Sequence, residues 1–579
     1  MNWLTISLQW YLYLFILGII FLPISTKIFK KFLLDLGYPF AKILSIIFLS
    51  YTTYVLATVK IFPFTQTNLL IILSFFIILN LFILYKNKFS QFLNLSISQF
   101  LFIFFEELLF LTSFLFWTYI RGQEPSIRSL EKFMDFGFIN SILRAKYFPP
   151  IDMWYAGGHP INYYYFGHLT GATLIKLANI KPAIGYNLLL STIFALGVTQ
   201  VFSLVGNIIN LSFLQKPESD QRRFRINFRT TLRIIFYGLI GSFIVNLGGN
   251  LHTIYLFTKG YPNENPIPFW KILSGFNPKN YWYPNATRFI PFTIHEFPSY
   301  SYVVADLHGH VFDIPFVILT LAILFMFFIH FSYIKAEKIN RHSMFDIRYL
   351  CNLLISNIQY PISIFLGFLI AIHYMTNAFD SPIYFLLSLI ILFFIYRFSL
   401  IFLYSLLIII FSFLIFSLPF SSYFKPFVSG IGVNCGAEIF PYSGKIGPFL
   451  FEKGNCQISP FWMLFILWGF FWVSFLIFIL INKSKKPISN IQYRISNFIL
   501  ILFSFATFLV FIPEFFYIKD IYPAHFRANT MFKLGYQAFI MMGIASAYVL
   551  FIIKYYKKFL FSIFYFLFSI FVFIYPFFS

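Results

Sequence analysis

The chain has 579 residues, 59% of them hydrophobic and 11% charged, and apolar runs of about 20 residues recur from end to end. That composition excludes a soluble globular protein and specifies a polytopic, all-α membrane protein. A net charge of +22 would suggest nucleic acid in a soluble chain, but here Lys and Arg gather in short connectors such as KIFKK, RRFRINFRTTLR, KSKKP and KYYKK. The positive-inside rule accounts for these, with no nucleic acid as partner.

With those connectors in the cytoplasm, the N-terminus lies outside. Spans are expected near 7–28, 41–59, 68–85, 98–120, 183–205, 234–257, 303–334, 352–373, 382–396, 399–419, 460–482, 496–512, 534–553 and 559–577, about fourteen in all. The first is read as a retained helix, because KIFKK follows it and no small-residue cleavage site does. Tyr163 to Leu177 is apolar enough to cross, yet a crossing there would put RRFRINFRTTLR outside. It is therefore laid along the outer interface as an amphipathic or re-entrant helix. Residues 1–97 form an N-terminal helical part, 98–550 the main membrane domain with external loops 121–162, 258–302, 420–459 and 513–533, and 551–579 a last helix.

This topology sorts the acids. Glu124, Glu131, Asp135, Asp152, Glu264, Glu296, Asp306, Asp313, Asp380, Glu438, Glu452, Glu514 and Asp520 fall outside or at the outer mouth, thirteen of the twenty, so chemistry is expected on the outer face. Glu106 and Glu107 lie within a span, and their role stays open between a functional site and a hydrogen-bonded pair of helices. Cys435 and Cys456 share one external loop, where a disulfide and two free thiols are both compatible with the sequence.

In SLEKFMDFGF, Glu131 and Asp135 are four apart and share one helical face. A carboxylate held there can take the proton of an acceptor hydroxyl; the competing reading is a solvated face beside Arg128 and Lys132. In FPPIDMWYAGGHPINYYYFGH, prolines stiffen an extended path, while Asp152, Trp154, His159, Tyr163, Tyr164, Tyr165 and His168 suit a sugar or a lipid headgroup, or an interfacial aromatic belt. RFIPFTIHEFPSYSYVVADLHGHVFDIP brings Arg288, His295, Glu296, Asp306, His308, His310 and Asp313 to the start of a span. Asp306, His308 and His310 have the ligand chemistry for a divalent metal, without the spacing of an established metal motif. HYMTNAFDSP offers His373, Asn377 and Asp380, as a site or as a helix cap. EFFYIKDIYPAHFRANTMFK supplies Glu514, Asp520, Arg527, Asn529 and Lys533, where Arg and Lys are natural phosphate partners or headgroup anchors. No P-loop, dinucleotide fingerprint, HExxH or GxSxG stands in a supporting context.

The motifs EKFMD, FPPIDMWYAGGHPINYYYFGH, EFPSYSYVVADLHGH, TNAFDSP, EFFYIKD and FRANTMFK resemble, in this order, the multi-spanning "YYY" membrane protein family (DUF2298) over residues 100–550. That family in turn looks similar to the GT-C glycosyltransferases, polytopic enzymes that use polyprenyl-phosphate-linked sugars. The resemblance implies a GT-C-like fold with external interface helices and a sugar transferred at the outer face of an archaeal or bacterial plasma membrane. It also implies Asp135, with Glu131 second, as the base and Arg527, Lys533 or Arg288 as phosphate partners. The sequence departs from the common pattern in having three spans before the one that enters the acidic loop, and in DLHGH. A transporter or flippase of a lipid-linked or polar substrate, or a non-catalytic scaffold, are the alternatives.

Overall fold

A computed structural model describes residues 3–29, 33–86, 96–213, 228–262, 265–338, 359–439, 443–484, 489–519, 523–553 and 559–579. These divide into two compact units, the first made of 1–210, 219–230 and 305–425, the second of 211–218, 231–304 and 426–579.

The first unit holds α1 (Trp3–Phe29), α2 (Tyr38–Thr58), α3 (Gln66–Lys86), α4 (Ile97–Gln123), α5 (Lys132–Arg144), α6 (Phe166–Ala178) and most of α7 (Pro182–Ser212). α4 starts at a capping box in which Ser96 accepts from the Gln99 backbone N–H and the Gln99 side chain returns to Ser96, satisfying two backbone donors that the first turn leaves unpaired. The expected helix over Tyr163–Leu177 is α6, whose 13 residues span about 20 Å and are too short to cross a hydrocarbon core of about 30 Å. It is not amphipathic in its setting. Every residue but Lys176 is buried, because α6 packs against α2, α3, α5 and further helices of the same unit rather than lying on its surface.

The second unit begins its main run with α8 (Phe228–Asn246), which accounts for only part of the expected span 234–257. The chain bends by 78° after Asn246 into a 3₁₀ turn, Leu251–Phe257. Asn250 caps that turn by accepting from the His252 backbone N–H at 3.0 Å, so the break is built from LGGN rather than imposed from outside. α9 (Pro298–Val304) is short and precedes the first unit's α10 (Gly309–Lys338). The apolar run at 303–334 thus starts later as a helix: Ala305 stands at φ 61°, a left-handed residue that ends helical continuity. The first unit closes with α11 (Gln359–Thr376), α12 (Asp380–Tyr396) and α13 (Leu400–Ser421).

The second unit resumes with β1 (Ile431–Val433), α14 (Gly436–Ile439), β2 (Gly444–Ile446), β3 (Phe449–Phe451), α15 (Phe461–Ser484), α16 (Asn490–Phe515), β4 (Phe516–Ile518), α17 (Ala528–Ile552) and α18 (Phe559–Ile574). The strands form one small sheet in the order β2, β3, β1, β4, parallel only between β1 and β3. Cys435 and Cys456 are joined in a disulfide beside it.

Among the described residues, ten helices are long and apolar enough to cross a membrane, eleven if the bent pair counts as one span. Three shorter apolar helices, Tyr360–Thr376, Asp380–Tyr396 and Phe568–Phe577, occupy the remaining regions expected to cross. The protein is an integral membrane protein.

Candidate functional site

In the first unit, α5 and α6 meet so that two side chains 33 positions apart touch with no water between them. His168 Nε2 donates to Asp135 Oδ1 at 2.8 Å, and both side chains are wholly buried. The imidazole is held edge-on by Phe138 and Phe312, and its Nδ1 has no hydrogen-bond partner. A lone ionised carboxylate at such depth would be expensive, and hydrogen-bonding partners are what make it tolerable.

The loop between α9 and α10 brings DLHGH onto the same carboxylate. His308 Nδ1 lies 3.1 Å from Glu131 and 3.6 Å from Asp135, while its Nε2 donates to the Tyr163 hydroxyl at 2.7 Å. Tyr163 in turn donates to Tyr164 at 2.8 Å. Asp306 hydrogen-bonds Asp135 directly, and each carboxyl keeps one buried oxygen without a protein donor. One proton held between them satisfies the pair.

Burial raises the affinity of Asp135 for that proton, but hydrogen bonds from His168 and His308 and the charge of both rings outweigh it. Its carboxyl sits well below the usual range. Asp306 goes the other way: burial first, then the negative charges of Asp135 and Glu131, push it up to about 7, against the opposing pull of His308. Two neighbouring acids are thereby separated into an anion and a group that titrates near neutrality. Glu131, with a side chain 57% exposed, carries the network to the surface, and Asp306 and Tyr163 are partly exposed beside it.

A second polar group lies at the facing ends of α10, α11 and α12. His373 Nδ1 donates to Asp313 at 2.8 Å and its Nε2 meets Thr320 at 2.9 Å. Asp313 hydrogen-bonds Asp380, whose other contact is the Asn377 amide at 2.7 Å. Gly309 ties this group to the first: a Cβ there would come within 2.2 Å of the Thr376 carbonyl oxygen and 3.0 Å of the Tyr164 ring.

Other expected site residues go elsewhere. Asp152, Trp154 and His159 form a surface turn, in which Asp152 accepts from the Trp154 backbone N–H at 2.8 Å and donates its own to the His159 carbonyl. Tyr165, third of the YYY run, turns away and packs edge-on to Tyr54 in the core. His310 stacks near His308, with ring centres 5.6 Å apart. In the second unit, Arg288 pairs with Glu296 at 2.9 Å. Arg527 donates to Glu514 at 2.9 Å and to Ser459 at 3.1 Å. Burial, with the charges of Arg527 and Arg288, lowers His295 to about 3 and keeps it neutral. Lys533 is buried with its ammonium 4.7 Å from the Phe532 ring centre, and Asn529 is half-buried on the same helix. Asp520 lies outside the described residues.

Asp306, His308 and His310 do not offer a metal-sized cluster. Among the described residues the one trio of candidate ligand atoms within 4.8 Å is Cys435, Glu438 and Cys456, and its thiols are consumed by the disulfide. A cleft in the same unit does not sit on the carboxyl pair. That cleft, about 510 Å³, is lined by Phe64, Arg144, Lys146, Ile175 and Lys176 among others, at the C-terminal ends of α5 and α6. Asp135 and His168 stand in the first turns of the same helices, away from that cleft.

The family model described as "Uncharacterized membrane protein (DUF2298)" matches residues 48–497 and 484–542. The chain belongs to this family. No curated protein matches it, and no solved structure does. The matched region of this DUF2298 protein contains Glu131, Asp135, Tyr163, Tyr164, His168, Asp306 and His308, all the members of the carboxyl network.

Sequence reasoning singled out each of those seven residues but not their division of labour. It passed over Asp313, His373 and Thr320 as a group with Asp380, and the pairing of Glu106 with Asp35. His373 in the last turn of one apolar helix and Asp380 at the start of the next, across a three-residue connection, were the available signal for the former.

Proposed function

We propose that the protein is a membrane glycosyltransferase of GT-C type, moving a sugar from a polyprenyl-phosphate donor to an acceptor hydroxyl at the outer face of the plasma membrane. The observation that carries this reading is the pair of buried Asp135 and half-buried Asp306, tuned apart by His168 and His308 and bordered by exposed Glu131. In the proposed step the acceptor oxygen attacks the anomeric carbon. The bond to the donor phosphate breaks with its electron pair leaving on phosphate, and the acceptor proton passes to the carboxyl pair. Asp306, titrating near neutrality, is matched to receive it, while ionised Asp135 holds the rings that surround it.

The analogy assigns the phosphate to Arg527, Lys533 or Arg288. Arg288 and Arg527 each carry a carboxylate already, so a phosphate there would displace Glu296 or Glu514.

The test is transfer from labelled polyprenyl-phosphate sugars by the purified chain, with Asp135→Asn and Asp306→Asn beside wild type. Sugar release that survives both changes removes the carboxyl pair from the chemistry and favours a transporter of lipid-linked substrate. The rate should also rise with pH through a midpoint near 7, as Asp306 loses its proton. Glu131→Gln removes a neighbouring negative charge, makes that ionisation easier, and should move the midpoint to lower pH. A profile unmoved, or moved upward, contradicts the role given to Asp306.

A further inference from the structure

Glu106 and Glu107 are adjacent on α4, three turns in from its start, and they have opposite environments. Glu107 is fully partnered: Lys42 forms an ion pair with it, and the Tyr11 and Tyr38 hydroxyls each donate to it at 2.7 Å. Glu106 is 1% exposed, and neither of its oxygens receives a hydrogen bond from a donor of the protein. It hydrogen-bonds Asp35 instead. Asp35 is already an acceptor three times over, from Ser203 at 2.5 Å, Asn207 at 2.9 Å and the Gly37 backbone N–H at 2.8 Å.

The chemistry of this arrangement leaves little freedom. A carboxyl–carboxyl hydrogen bond needs a proton, and the Asp35 oxygens are already occupied as acceptors by three donors. The proton therefore belongs on Glu106, the carboxyl that lacks donors, since an ionised one so placed would be uncompensated in a low-dielectric interior. Lys42 does not replace it, being held by Glu107. One turn before Ser203 on α7, Gln200 is also fully buried, with neither its amide nitrogen nor its oxygen partnered. Gln200, Ser203 and Asn207 are spaced three and four apart and share one helical face, the face that meets Asp35. Polar capacity beyond what the resting contacts use is what a group needs if its proton is to leave and return.

We propose that Glu106 and Asp35 form a proton-binding site inside the membrane domain, in which one exchangeable proton is held on Glu106 and shared with Asp35. The groups that face it are Asp35 from the α1–α2 connection, Tyr38 and Lys42 from α2, Tyr11 from α1, Glu107 from α4, and Gln200, Ser203 and Asn207 from α7. The site is separate from the carboxyl pair at Asp135. From Glu106 to Gln123 α4 rises through seventeen residue steps, about 26 Å of helix. Release of the proton would leave two carboxylates against each other with one cation already committed, so the site binds H⁺ rather than a passing anion or neutral solute.

The full chain in lipid nanodiscs, examined by infrared difference spectroscopy between wild type and Glu106→Gln, tests this. At pH 7 the difference should show the carbonyl stretch of a protonated carboxyl that shifts in D₂O, is lost at alkaline pH, and is unchanged by added sodium chloride. Carboxylate stretches at pH 7 in place of that band would overturn the proposal, as would its loss on adding sodium, which would make the site a cation site. Asp35→Asn provides the second variant should Glu106→Gln fail to fold. Removing the neighbouring negative charge should shift the loss of the Glu106 band to lower pH, and an unmoved band overturns the sharing.

Discussion

Asp135→Asn is expected to reduce the proposed sugar transfer by about 10²- to 10⁴-fold, the range for loss of general acid–base catalysis, because Asp135 positions and tunes Asp306, the group proposed to take the proton. The replacement is nearly isosteric, so the cavity is preserved and the loss isolates the charge. Three partners depend on that charge: His168 at 2.8 Å, His308 at 3.6 Å and the Asp306 proton. With the anion gone, the largest neighbouring charge holding Asp306 up disappears. Asp306 should then titrate below its present value of about 7, and whatever rate remains should persist to lower pH. Asp135→Ala removes the hydrogen-bond acceptor as well, leaving His168 buried without a partner, and should cost on the order of 3–5 kcal/mol of stability. Initial rates and thermal melts on the same preparations separate the two effects. A wild-type rate in a folded Asp135→Asn protein would sink the catalytic assignment.

Arg527→Met should be the most damaging single change in the second unit. The guanidinium is 1% exposed and forms the centre of a closed set: Glu514 accepts from it at 2.9 Å, and Ser459 accepts from it at 3.1 Å while donating to Glu514 at 2.6 Å. Truncation leaves the half-buried Glu514 carboxylate without its cation, held only by the Ser459 backbone N–H and hydroxyl, at a cost of up to about 3 kcal/mol. Removing both charges, in Arg527→Met with Glu514→Gln, should recover much of that loss, because no ion is then left without its partner. Thermal unfolding of the two variants distinguishes this from a role in donor binding. If Arg527 mainly holds phosphate, the single variant would melt as wild type does and show its defect only as a raised KM for the donor.

Much of this architecture was legible because a membrane imposes coarse rules. Long apolar runs specify helices, and Lys- and Arg-rich connectors constrain which turns can share a side, which is how α6 was recognised as a helix that does not cross. The burial of α6 on all sides was not legible, because the polar atoms in FGHLTGATLIKLA read as a wet face, whereas His168 is satisfied by Asp135 and Thr170 by the Gly167 carbonyl. The candidate site showed the same limit. Tyr163, Tyr164 and Tyr165 are chemically identical in sequence; one residue's difference in position turns Tyr165 into the core and the other two toward His308. Asp152 beside Trp154 resembled a binding motif, yet its carboxylate is occupied by the backbone of its own turn. Arg527 resembled a free cation until the folded chain brought up Glu514, only 13 residues away but with the β4 strand and its following turn between them.

Gly309 has a mechanical consequence. Its missing side chain lets the start of α10 press against the Thr376 carbonyl on one side and the Tyr164 ring on the other, which makes the Asp135 network and the Asp313–Asp380 pair parts of a single stiff joint. A methyl group cannot be accommodated by rotating a side chain, since the nearest atom is backbone. Gly309→Ala should therefore lower melting temperature and transfer rate together while touching no ionisable group. Gly137→Ala in α5, opposed only by the flexible end of Met153, should change neither by much. Motion at the start of α10 would then be transmitted by displacement, from one acid pair to the next, and not through charge alone.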